Sequence, residues 1–156
     1  MKISTKGKYG LRAMIDLAQY SEQEAVSISS IAQRQKISES YLEQLVAKLK
    51  KAGLVISIRG AAGGYRLARP ASDISVGDVL RALEGDVRAV ICTAQTEEGC
   101  EGEELCVTKY VWQRINESIE KTVDEMMLDQ LVVESRKAQE KAKNHDVDYS
   151  RNSCSG

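Results

Sequence analysis

From Lys8 to Tyr20 the apolar residues Leu11, Met14, Ile15 and Ala18 recur at helical spacing, so a first helix buries one face while Asp16 and Gln19 stay wet. Between Ser27 and Gln35, Ile28, Ile31 and Ala32 mark a short second helix, with Ser27 or Ser29 as its N-cap. A tight connection through Lys36 and Ile37 leads to Ser38, another good N-cap. The third helix carries Leu42, Leu45, Val46 and Leu49 on one stripe and ends at Gly53. Two β-rich runs follow, Leu54 to Ile58 and Tyr65 to Leu67, separated by Arg59-Gly-Ala-Ala-Gly-Gly64, which predicts a hairpin with a glycine-rich tip. After the only proline, Pro70, Ser75 caps a helix bearing Val76, Val79, Leu80 and Leu83, and Gly85 closes it.

Periodicity then lapses. The stretch holding Cys92, Cys100 and Cys106 is rich in Glu and Gly and is ordered only if something organises it. From Val107 a long helix resumes, with Val111, Ile115, Ile119 and Val123 stepping by four beside Trp112 and Met126. Such a stripe exceeds what a small core covers and is most simply buried against its own copy in a two-fold dimer. After Glu134 the chain turns polar and is expected to be disordered.

The order of helix, helix, reading helix and two-stranded wing predicts a mainly α fold with a small β-hairpin, a winged helix-turn-helix domain followed by a long C-terminal dimerisation helix. The boundaries are 1–84 for the DNA-binding domain, 85–106 for a cysteine-bearing sensor loop, 107–133 for the dimerisation helices and 134–156 for the tail.

Charge sharpens this division. The chain of 156 residues has a net charge of -1, yet residues 1–81 carry 13 Lys/Arg against 7 Asp/Glu, and the remainder carries 9 against 16. A basic front half suits a polyanion such as DNA, and the acidic rear half belongs away from phosphates. The basic N-terminus lacks a following apolar segment and the longest apolar runs are too short for a span, so a soluble, cytoplasmic protein with no membrane partner is expected. Catalysis is not expected, because the sole histidine, His145, falls in the polar tail and no carboxylate pair is placed by a recognisable scaffold.

In the DNA reading, Ser38, Ser40, Tyr41 and Gln44 occupy the first turns of the reading helix, where side chains reach the major groove or flanking phosphates. Gln44 can pair with adenine and Glu43 can accept from cytosine N4, while Lys48, Lys50 and Lys51 suit phosphates. Arg59 at the wing base and Arg66 just beyond its tip are placed for a minor groove or phosphate oxygens. A nucleotide-phosphate loop is rejected for the glycine-rich tip, which lacks a following Lys-Ser/Thr and leads to a strand. A winged helix used only for protein contacts and an iron-sulfur carrier without a DNA role are the rivals.

Seven residues separate Cys92 from Cys100 and five separate Cys100 from Cys106, which is no zinc-finger spacing. Three thiolates suit an iron-sulfur cluster or zinc, with thiol oxidation and plain thiols as alternatives. Cys154 and His145 lie in the tail and are not expected to be ligands.

Lys2-Ile-Ser-Thr-Lys-Gly-Lys-Tyr-Gly, Ile37-Ser-Glu-Ser-Tyr-Leu-Glu-Gln-Leu45 and Arg59-Gly-Ala-Ala-Gly-Gly-Tyr65 resemble the IscR/NsrR/CymR family of bacterial winged-helix transcriptional regulators, from Met1 to about Val132. The resemblance implies a homodimer that crosses long C-terminal helices and binds palindromic double-stranded DNA. Cys92, Cys100 and Cys106 match the three cysteines of the IscR and NsrR types, which CymR types lack. They imply an iron-sulfur cofactor, 2Fe-2S or 4Fe-4S, and a repressor of cluster-assembly genes. The alternative within the family is a cysteine-metabolism or nitrosative and redox-stress repressor. Two positions depart from the pattern: Lys109 stands where IscR types place a histidine, and Lys6 and Lys8 stand where NsrR types offer an acid. The fourth ligand stays open among Glu97, Glu98, Glu103, Glu104, a small thiol or water.

Overall fold

The computed structural model describes residues 2–91 and 106–152. Within them the order is α1 (Thr5–Tyr20), α2 (Ile28–Gln35), α3 (Glu39–Lys51), β1 (Val55–Ile58), β2 (Gly64–Leu67), a 3₁₀ turn (Ala71–Asp73), α4 (Val76–Glu84), α5 (Thr108–Glu125) and α6 (Leu128–Asn152). This is the winged helix-turn-helix the pattern predicts, followed by two long helices.

Local chemistry sets most helix ends. The Ser27 hydroxyl accepts from the Ser30 N–H at 3.1 Å, and the Ser38 hydroxyl accepts from the Tyr41 N–H at 3.3 Å. Ser75 and Asp78 form a reciprocal capping box at 3.0 Å each way. The turn between α2 and α3 is closed by Lys36 in the left-handed region, φ 54°, with the Ile37 N–H bonded back to the Ala32 carbonyl at 3.1 Å. α1 is the exception. It starts at Thr5, earlier than apolar spacing indicates, and Ser4 offers no side-chain cap. Glu84, the last residue of α4, accepts instead from the N–H groups of Ser4 and Gly7, both at 3.0 Å, and from the Ser4 hydroxyl at 2.5 Å.

The wing pairs β1 and β2 antiparallel, with Ile56 opposite Arg66 and Ile58 opposite Gly64. A third pairing was not visible in the periodicity. Val26, just before α2, exchanges N–H and carbonyl bonds with Tyr65 at 2.8 and 2.9 Å. Gly64 permits this approach, because a Cβ there would fall 2.5 Å from the Val26 carbonyl oxygen.

Met14, Leu17, Ile31, Leu42, Leu45, Leu49, Ile74 and Val79 are fully buried in one core, and Leu128 and Val132 of α6 join it. One long helix from Val107 was the expectation, but Met126 leaves helical geometry, φ -85° and ψ 111°, and the chain folds back. The Val76 N–H bonds the Met126 carbonyl at 2.8 Å, and the Leu128 N–H bonds the Ile74 carbonyl at 2.9 Å. The start of α6 is therefore part of the front domain, and α6 packs on α1.

Two further expectations change. Asp16 does not stay wet: it is 2% exposed and its carboxylate is ion-paired with Arg34 at 2.7 Å. Gln19 contacts α6 through Gln139 and Ser135. The segment after Glu134, expected to be disordered, continues as helix to Asn152. Its residues through His145 are mostly exposed, so polarity there marks a solvated helix built from good helix formers such as Glu, Lys, Gln and Ala.

Candidate functional site

On α3 the inward stripe leaves the opposite side free. Ser38, Ser40, Glu43, Gln44 and Lys48 are exposed, and Ser40, Gln44 and Lys48 lie four residues apart on one face. Tyr41 divides its ring between core and solvent, meeting Tyr9 of α1 edge-on with centroids 6.2 Å apart. Lys50 is tied to the wing through the Ser57 hydroxyl at 2.9 Å, which fixes α3 against β1.

Arg59 is the first residue of the wing tip, after the end of β1, and is exposed. Arg66 lies within β2 and turns toward the end of α1, donating to the carbonyls of Ser21 at 3.3 Å and Glu22 at 3.1 Å. A guanidinium on the free carbonyls of a helix C-terminus is favourable, and here it fastens the wing to α1.

The angle between α1 and α2 is held by a cluster that spacing could not reveal. Both oxygens of buried Asp16 accept from Arg34, at 2.7 and 2.9 Å, and Gln35 adds a bond at 2.9 Å. The Arg34 guanidinium also stacks 4.2 Å from the Tyr20 ring. Arg12 donates to Gln35 at 3.2 and 2.8 Å, closing the same seam. The only sequence signal was a lone acid on a helix with an arginine one helix later.

Of the three predicted cluster cysteines, Cys92 and Cys100 lie outside the described residues, as do Cys154 and the four candidate glutamates. Cys106 is free, half-buried and just ahead of α5. Its sulfur sits 3.2 Å from the Thr108 hydroxyl. That bond, the N–H groups of Lys109 and Thr108 and the Lys109 charge hold the thiol below its usual value, against the opposing pull of burial. A thiolate-favouring position at a helix N-terminus has the donor chemistry an iron-sulfur cluster needs. Among the described residues no group of three potential ligands converges.

Asn116 was missed altogether. It is the buried residue of an otherwise exposed or half-buried α5, and its carboxamide bonds the backbone of Ala89 and Val90. Val107 is 76% exposed, Tyr110 65%, Val111 49% and Ile115 38%, so the predicted apolar stripe is open at its N-terminal end.

Residues 3–134 match the Rrf2 family, described as an iron-dependent transcriptional regulator. The chain belongs to the Rrf2 family. Its relatives include the HTH-type transcriptional regulator IscR of Vibrio atlanticus (strain LGP32), 42% identical over 85% of this chain and 75% of that one. IscR of Pectobacterium carotovorum subsp. carotovorum (strain PC1) is 39% identical over 97% of this chain and 90% of that one. Among solved structures, CymR, the global cysteine regulator of B. subtilis, superposes with a TM-score of 0.72 at 42% identity, covering 85% of this chain and 97% of that one. The T. potens IscR structure gives a TM-score of 0.71 at 47% identity, covering 89% and 91%. This Rrf2 chain is thus a winged-helix transcriptional regulator, and the described residues include no helix long and apolar enough to cross a membrane.

Proposed function

We propose that the chain is a homodimeric repressor of iron-sulfur cluster assembly genes that grips a palindromic duplex with α3 and the wing and reads cluster status through Cys92, Cys100 and Cys106. The observation that carries the DNA role is the exposed Ser40, Gln44 and Lys48 face of α3, with Arg59 at the wing tip, on the basic half of the chain. Residues 1–84 bind DNA, 85–106 sense, and 107–133 pair the subunits through the open stripe of α5, with the start of α6 shared with the front domain.

The thiolates of Cys92, Cys100 and Cys106 would hold the cluster, which when bound supplies redox- and oxygen-sensitive chemistry. Cys106 stands at the head of α5 and Cys92 follows the segment that leaves α4, so both the domain and the helix end on the same ligand set. Lys109 does not complete the set while protonated. The likeness to CymR favours a second reading, a cysteine-responsive repressor that holds no cluster.

Anaerobic purification with a visible spectrum and an iron count separates the two. The cluster reading expects colour that is lost in Cys92→Ala, Cys100→Ala or Cys106→Ala with the dimer intact, and kept in Cys154→Ala. Colourless wild-type protein that binds a palindrome favours the second reading. Loss of all preference for a palindrome over random duplex, with and without metal, removes both.

A further inference from the structure

Arg12 is an exposed cation on α1 that, among the described residues, pairs with no carboxylate. Every group it touches is neutral. Its Nε donates to the side-chain oxygen of Gln35 at 3.2 Å, its Nη2 donates to the main-chain carbonyl of Gln35 at 2.8 Å, and the guanidinium lies over the Tyr9 ring, 5.3 Å from the centroid. A lysine ammonium is a point charge and does not reproduce this planar fork, so the geometry of the arginine, more than its charge, is what the contacts use.

The carbonyl it holds is well placed. Gln35 ends α2, so its carbonyl has no partner within the helix, and a cation there is favourable. The same carbonyl belongs to the peptide that leads into Lys36, the only non-glycine residue with a positive φ among the described residues, 54°. The reversal from α2 to α3 turns on that residue, and Arg12 fixes the plane of the peptide entering it. The Gln35 carboxamide is held from its other side, where it donates to buried Asp16 at 2.9 Å. Beyond the turn, Tyr9 meets Tyr41 in the first turn of α3 edge-on, with centroids 6.2 Å apart. One side chain of α1 therefore braces the turn at both ends, the last residue of α2 directly and the first turn of α3 through a single ring. The core contacts of α3 run through Leu42, Leu45, Val46 and Leu49, and such apolar burial is non-directional. It decides which face of α3 points inward. The directional contacts at the start of the helix are what fix its tilt, and the exposed Ser40 and Gln44 follow that tilt.

We infer that Arg12 is a positioning residue for base reading: by forking onto Gln35 and stacking on Tyr9 it sets the pose in which α3 presents Ser40 and Gln44 to the duplex, without touching a base itself. The inference rests on the proposed reading in which α3 enters the groove of a palindromic duplex.

The test uses full-length protein, the palindromic duplex that wild type selects from a random-sequence duplex pool, and a scrambled duplex of the same composition, with affinity measured for each across a salt series. Arg12→Ala should lower the preference for the selected duplex at least about tenfold, the worth of one good base contact, while affinity for the scrambled duplex and the salt slope stay at wild-type values. Arg12→Lys keeps the charge and loses the fork, so it should match Arg12→Ala. Tyr9→Phe keeps the ring and should match wild type, and Tyr9→Leu should lose preference as Arg12→Ala does. A salt slope that flattens by about 0.9 in Arg12→Ala and returns in Arg12→Lys makes Arg12 a phosphate contact and overturns the positioning role. Unchanged preference overturns it as well, and so does equal weakening on both duplexes, which marks a general loss of the fold. Wild-type protein that selects no duplex overturns the DNA reading together with the role resting on it, whereas the other three contrary outcomes leave that reading standing.

Discussion

Glu84 caps a helix to which it does not belong. The hydroxyl of Ser4 pulls its pKa below the ordinary glutamate value most strongly, the N–H groups of Ser4 and Gly7 and the charge of Lys6 add to this, and burial opposes it. A carboxylate whose folded pKa is depressed adds stability above its unfolded value, and that stability is lost as pH falls toward the folded one. The melting temperature of wild type should therefore fall more steeply than that of Glu84→Gln on acidification below about pH 4.3, and the two curves should converge at the acid end. Parallel curves would show that Glu84 titrates alike in folded and unfolded chains. A second contrast separates two residues that looked alike in sequence. Gln44→Ala should weaken operator binding by about 1–3 kcal/mol without moving the melting temperature, because Gln44 is exposed and the described structure gives it no hydrogen bond. Arg66→Ala should lower the melting temperature, because it frees the Ser21 and Glu22 carbonyls at the end of α1. At this scale the exposed α3 residues were legible, since an inward stripe defines its own opposite face. Arg66, Asp16 and Asn116 were not, because each is defined by a partner distant in the chain.

Elements were easier to find than their ends and their partners. Helices α1 to α4 and both strands follow from apolar spacing, and α2, α3 and α4 also from caps that lie within three residues, so local sequence suffices for all but the start of α1. The motif around Gly7 and Gly10 acquires its reason only in three dimensions. A Cβ on Gly10 would land inside the Leu83 side chain, and one on Gly7 would meet the Glu84 carboxylate, so with both positions bare α1 lies against α4 without displacing either side chain. The break between α5 and α6 escaped sequence reading because Met126 and Met127 carry no turn signature, and the turn is stabilised by backbone bonds to Ile74 and Val76. Its consequence is measurable. Leu128 is fully buried in the core of the front domain, so Leu128→Ala should cost about 2–5 kcal/mol in a chemical denaturation experiment. Val133→Ala, on the same helix but 47% exposed, should change stability by less than about 0.5 kcal/mol. Equal effects would place α6 outside that core.

For the whole molecule, the division of charge and the open stripe on α5 point the same way. A monomer would present Val107, Tyr110, Val111 and Ile115 to water beside one another, and in the proposed homodimer a second copy related by a two-fold axis would cover them while setting the two α3 helices toward one duplex. The two heads must then meet successive major grooves on one face, about 34 Å apart or a multiple of that. Charge inserted into the stripe tests this directly. Val111→Asp with Ile115→Asp should give monomers by sedimentation with the melting transition retained, because neither residue contributes to the core of the front domain. Joining two binding heads raises affinity by about 10²–10⁴ through effective concentration alone, so the monomer should bind a palindrome at least about a hundredfold more weakly. Salt supplies the independent check. Each phosphate neutralised contributes about -0.9 to the log-log slope, so a monomer touching one half-site should show about half the slope of the dimer. A variant that becomes monomeric while keeping both the affinity and the full slope would mean that one head makes all the contacts, and that the stripe on α5 serves some assembly other than the one that reads DNA.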